Sequence, residues 1–149
     1  MTDRPIDPDY DRHVPAQRVE PIWPVVAVIA PGGALGALAR HAVQSALPAG
    51  PADFPWATFW VNVSGCLLIG VLMVVITEVR PAHRLVRPFL GVGVLGGYTT
   101  FSTYAVDVQR AVGAGAPVTG LVYLAATMAA ALAAVAAGMW LTRRVAGVR

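Results

Sequence analysis

The groups in this chain best placed to do chemistry are uncharged. In Gly96-Gly97-Tyr98-Thr99-Thr100-Phe101-Ser102-Thr103-Tyr104, two glycines precede a dense run of hydroxyl side chains. Glycine costs about 1 kcal/mol against alanine inside a helix, and β-branched residues weaken it further. Gly93 and Gly97 form a GxxxG pair that helix packing alone explains. The hydroxyls that follow are not explained that way. The sharper reading is a helix break at mid-depth, its freed carbonyls lining an ion site. Asn62 has Thr58 one turn before it and Cys66 one turn after, on one helical face. On composition alone, hydrogen bonding between helices is the favoured reading of a carboxamide there. Thr119, Tyr123 and Thr127, spaced i, i+4 and i+8, make a polar stripe on an alanine-rich helix. Arg40 closes a stretch containing Gly32, Gly33 and Gly36, where an arginine snorkelling to the interface is expected.

Amides, hydroxyls and aromatic edges present N–H, O–H and weakly positive C–H groups. That inventory suits a small anion better than a cation. No HExxH, CxxC or Walker-type motif occurs, and His13, His41 and His83 lack metal-ligand spacing. No nucleophile–base–orienter set is apparent, so the chain is read as not an enzyme. Cys66, the lone cysteine, reads as a small buried hydrophobe.

The elements that must carry these residues are apolar. Of 149 residues, 56% are hydrophobic and 13% charged, half the roughly 25% charge of a soluble domain. A helix needs about 20 apolar residues to cross a bilayer. Spans are expected at about 22–46, 56–77, 88–108 and 117–142, with Pro117 opening the last. Backbone groups in lipid must be satisfied internally, so the runs are read as helices: an all-α membrane protein of four transmembrane helices, broken in the third. Residues 1–21, polar and proline-rich, are expected to be a disordered tail, and 143–149 a basic one. The first apolar run begins too late and is too long for a cleaved signal peptide. The loops are short, so function must lie in the 22–142 helical domain. All eleven basic residues are arginine. They form no stripe with interleaved aromatics, so nucleic acid is not an expected partner.

Three of these segments resemble a known family. Gly32-Gly33-Ala34-Leu35-Gly36-Ala37-Leu38-Ala39-Arg40, Ala57-Thr58-Phe59-Trp60-Val61-Asn62-Val63-Ser64-Gly65 and Gly96 to Tyr104 resemble, in order and spacing, the motifs of the Fluc (CrcB-type) fluoride channels. The likeness covers residues of about 25 to 142. It implies a fluoride-selective channel for passive efflux across the bacterial plasma membrane, built as an antiparallel dimer with pathways along the subunit interface. It also implies that Asn62, Phe101, Thr103, Tyr104, Tyr123 and Thr127 line the fluoride path and that Arg40 draws anions into the vestibule. A structural, untransported sodium ion (Na+) would sit on the carbonyls of Gly96 and Thr99. Tyr104 stands where the family usually has a second phenylalanine, Asp107 where a glutamate is common, and Cys66 where a small residue, usually serine, is found.

Arginine placement sets orientation. Arg4, Arg12, Arg18, Arg80, Arg84, Arg87, Arg143, Arg144 and Arg149 fall on one side, Arg40 and Arg110 near the other. Both termini are therefore expected in the cytoplasm. A homodimer that inserts both ways needs little bias, so the partner is expected to be an oppositely oriented homologue. Two rival readings are a small multidrug-type transporter and a non-conducting partner subunit. The first is expected to carry a glutamate in its first helix, and Ile22 to Ala39 has none.

Overall fold

The computed structural model describes residues 21–79 and 82–148. The expected disordered tail, apart from Pro21, lies outside the described residues, as do Arg80 and Arg149. Among the described residues every regular element is a helix. Helix α1 is Trp23–Ala46 and α2 is Trp56–Val79, the last five residues of α2 being wound as a π-helix. Helix α3 covers 87–98: Arg87–Leu95 is π-helical and Gly96–Tyr98 adds a closing α-turn. Helix α4 is Ser102–Gly113 and α5 is Pro117–Ala146.

Three of these, α1, α2 and α5, are long and apolar enough to cross a membrane, with mean hydropathies of 1.4, 2.4 and 2.0. The stretch 88–108, expected as a span with a break, consists of two helices, α3 and α4, and α4 continues past 108 to Gly113. The fourth span, expected to stop at 142, runs on to Ala146. Two features carry it past the apolar stretch. Arg143 is held by Glu78 of α2 through Nη2–Oε1 at 2.7 Å and Nε–Oε2 at 2.9 Å. Gly147 then ends the helix in the left-handed conformation, φ 68°, which costs glycine nothing.

The helices pair through glycine. On α1, a methyl at Gly32 would meet Phe89 O at 2.7 Å, and one at Gly36 would be driven into Val94 O. From the other side, a methyl at Gly93 would meet Gly32 Cα at 3.0 Å, and one at Gly97 would strike Gly33 O. Contacts advance together along both helices, so α1 and α3 run parallel with their backbones touching. The glycines of the GxxxG pair are therefore accounted for by packing. Helices α2 and α5 make a second such seam, Gly70 against Val135 O and Gly138 against Leu67 O, which the sequence reading did not single out. Lipid gives helices no hydrophobic drive to associate, so close backbone approach supplies dispersion instead. Ala114–Ala116 turns α4 back onto α5, where Gly120 lies against Val108.

Charge and aromatics sort to the ends. Arg84 lies in the surface hollow beside the start of α1, formed with Ile22 and Pro24, and Arg143 and Arg144 close α5. At the opposite end Phe54, Trp56, Phe59 and Trp60 cluster, with Phe54 edge-on to Tyr123 at 5.3 Å and 88°. Amphipathic rings at this level fit a headgroup interface.

Candidate functional site

The site forms where α3 gives way to α4. Tyr98 ends α3, Thr99 is extended at φ −73° and ψ 156°, and the next helix starts at Ser102. A continuous helix would send the Thr100 N–H to Gly96 O and the Thr103 N–H to Thr99 O. Here both donors go elsewhere. Thr100 N–H donates to Asn62 Oδ1 at 2.9 Å, and Thr103 N–H to Thr100 Oγ1 at 3.1 Å. Gly96 O and Thr99 O thereby lose their helical donors. Asn62 completes a two-way clasp by donating Nδ2–H to Thr100 O at 2.9 Å. Arg40 reaches across from α1 and donates Nη1–H to Thr99 O at 3.2 Å.

This arrangement gives Asn62 a second task. The sequence reading placed it as a group that donates to an anion or as a bond between helices. The structure uses one of its two N–H groups and its oxygen to hold the backbone of residue 100. The other N–H remains a donor in chemical capacity. Thr100 is the residue that sequence reasoning underweighted. Its hydroxyl also donates to Thr103 Oγ1 at 3.0 Å. The available signal was a threonine two residues before a helix start, where its hydroxyl can accept from the N–H three residues on.

Asn62, Gly96, Thr99, Phe101, Tyr104 and Thr127 all line one groove of about 300 Å³, together with Thr100 and Cys66, and every residue lining it is uncharged. Thr103 is bound to Thr100 at its edge. Tyr123 lies behind the groove, fully buried, its ring 5.3 Å from that of Tyr104. Arg40 is not part of the groove wall and approaches the same backbone from α1. Phe101 is 75% exposed, although its ring is 5.8 Å from Tyr104.

The hydroxyls divide into two kinds. Tyr104 donates Oη–H to Leu124 O at 2.7 Å, so its extra hydroxyl is spent on α5. Tyr123 Oη and Thr127 Oγ1 are buried and neither meets hydrogen-bond geometry with a partner among the described residues, Tyr123 having the Thr58 hydroxyl as a neighbour. A buried polar group left unpaired costs about 1–3 kcal/mol. The two lie one turn apart on α5. Nearby, Thr58 donates to Asp107 Oδ2 at 2.8 Å, and Arg110 flanks the same carboxylate at 3.5 Å.

Tyr104→Phe should leave the groove unchanged, because the lost hydroxyl bonds a carbonyl of α5 and not the groove. A loss of about 0.5–1.5 kcal/mol in stability is expected from the missing hydrogen bond, and thermal melting of the variant measures it.

Residues 27–139 match the family model described as CrcB-like protein, Camphor Resistance (CrcB). The chain belongs to this family. Relatives bear the same relation at high identity. Fluoride-specific ion channel FluC 2 of Streptomyces avermitilis is 66% identical over 70% of this chain, which spans 66% of that relative, just under two thirds. FluC 1 of Streptomyces coelicolor is 62% identical over 82% of this chain and 79% of its own length. FluC 2 of Nocardia farcinica is 50% identical over 87% of this chain and 94% of its own.

Proposed function

We propose that the chain is a subunit of a fluoride-selective channel through which cytoplasmic fluoride leaves passively across the plasma membrane. The observation that carries this reading is the groove beside the α3–α4 junction. Its lining is wholly uncharged, yet it adjoins two buried hydroxyls, Tyr123 and Thr127, that lack partners. A small, strongly hydrated halide needs close donors to replace its water, and must not be held so tightly that it stays. Asn62 Nδ2–H, the Phe101 ring edge and the Thr103, Tyr123 and Thr127 hydroxyls meet that demand without a fixed charge. Tyr104 contributes its ring edge, its hydroxyl being committed to Leu124.

In this reading α3 and α4 together make the third of four crossings, interrupted at residues 99–101. The freed carbonyls of Gly96 and Thr99 fit a structural sodium ion. They are hard neutral oxygens stripped of their helical donors, and a carbonyl has two lone pairs, so Thr99 O can serve Arg40 and a cation together. Sodium would fix the junction and would not be transported. Two carbonyls do not complete a coordination shell. An antiparallel second subunit, placed over exposed Phe101, would bring the matching pair. The arginines at the Arg84 and Arg143 end support a reading with both termini in the cytoplasm and a partner that is an oppositely oriented homologue.

Purified chain in fluoride-loaded liposomes, read with a fluoride electrode, tests the proposal. Efflux by the chain alone makes a homologous partner unnecessary. Efflux only on co-reconstitution with an oppositely oriented homologue supports the heterodimer. No efflux in either case rejects the channel reading. Within the same assay, Tyr123→Phe and Thr127→Val should slow fluoride while leaving the melting temperature unchanged or raised. Deleting an unpaired buried hydroxyl removes a cost and breaks no bond. Unimpaired efflux in both variants would remove those hydroxyls from the path.

A further inference from the structure

The junction backbone is held from α1 as well as from α2, and the α1 contact is a cation. Gly32 and Gly36 bring the α1 backbone against α3; beyond Gly36, the Tyr98 N–H lies 2.7 Å from where a methyl would be. Arg40, one turn past Gly36 on the same face, is thereby carried to the junction. Its half-buried guanidinium reaches Thr99 O at 3.2 Å. That carbonyl is available only because Thr100 Oγ1 has captured the Thr103 N–H.

We infer that Arg40 is a positioning residue that fixes the Thr99 carbonyl, and that its charge limits how tightly a monovalent cation binds at the Gly96 and Thr99 carbonyls. The second clause rests on the sodium reading given above. Two cations sharing one carbonyl oxygen repel each other, and at partly buried sites that repulsion is only partly damped by water. The guanidinium therefore acts as the chain's own resident cation at the junction. It satisfies Thr99 O when sodium is absent and weakens sodium when it arrives. An arginine that only attracts anions into a vestibule would have no such effect on sodium.

The test is thermal melting of the purified full chain in choline chloride and in rising sodium chloride at constant ionic strength. Wild type is compared with Arg40→Gln and Arg40→Lys. Gln carries no charge and ends two bonds short of the position from which Nη1 reaches the carbonyl; Lys keeps the charge without the planar fork. In sodium-free buffer Arg40→Gln should melt below wild type. On titration it should recover with a sodium midpoint about tenfold lower than that of wild type. Arg40→Lys should keep the wild-type midpoint. An Arg40→Gln protein as stable as wild type in choline overturns the positioning role. A midpoint equal to or higher than that of wild type overturns the charge effect. If sodium raises the melting temperature of none of the three proteins, the sodium reading and the charge effect fall together. The choline comparison still decides the positioning role.

Discussion

Asn62→Ala is expected to reduce fluoride efflux at least about 100-fold, to the leak of empty vesicles. Two losses combine. A hydrogen bond to a charged guest is worth about 1.5–3 kcal/mol, or about 10–100-fold in rate. In addition, the Thr100 N–H and C=O lose their partners at 2.9 Å, and Thr100 is buried. Each unpaired group costs about 1–3 kcal/mol, so the junction should relax toward a continuous helix and close its own carbonyls. Asn62→Asp keeps the oxygen that accepts from the Thr100 N–H but loses the N–H that holds the Thr100 carbonyl. A melting temperature above that of Asn62→Ala measures the share of the loss that belongs to that half of the clasp. Efflux near the wild-type rate in both variants would exclude Asn62 from the path.

The second large effect is steric. Gly36→Ala should destabilise the fold by about 3 kcal/mol, the upper end for overpacking a close contact. The added methyl meets Val94 O, Tyr98 N at 2.7 Å and Gly97 C at 3.0 Å, all of them backbone atoms that cannot swing aside. Helix α1 would have to retreat, taking Arg40 with it. Gly33→Ala, three residues away, is the control: its methyl meets nothing within 4 Å. It should stay within about 0.5 kcal/mol of wild type. Size-exclusion profile and thermal melting in detergent measure both. Equal behaviour of the two variants would mean that the α1–α3 seam is looser than described.

How much of this was legible beforehand follows a physical divide. Properties that depend on a local stretch could be read. The apolar runs gave α1, α2 and α5 within a few residues, Pro117 opens α5 as expected, and the Gly96–Tyr104 stretch drew attention as poor helix. Features that depend on distant partners could not. Nothing near Thr100 in the sequence says that its peptide group will be clasped by a side chain 38 positions away. The Gly70–Gly138 seam was hidden because two isolated glycines look alike whether they face a neighbour or lipid. Hydropathy cut α5 short at 142, since Arg143 reads as polar until Glu78 is beside it. The left-handed Gly147 was the better stop signal. Similarly, the third motif pointed to Phe101 and Tyr104 as a pair, yet one is bare and the other buried and tied to Leu124. Their i, i+3 spacing does not distinguish them.

The clasp between Asn62 and Thr100 also bears on how such a protein is made. A newly inserted subunit with bare peptide groups at mid-depth would be short-lived, waiting on assembly or destroyed by surveillance proteases. Here the most vulnerable peptide group is closed within the chain, by a helix synthesised before the segment it protects. That peptide group is therefore satisfied as soon as the segment folds against α2, without any contact from outside the chain.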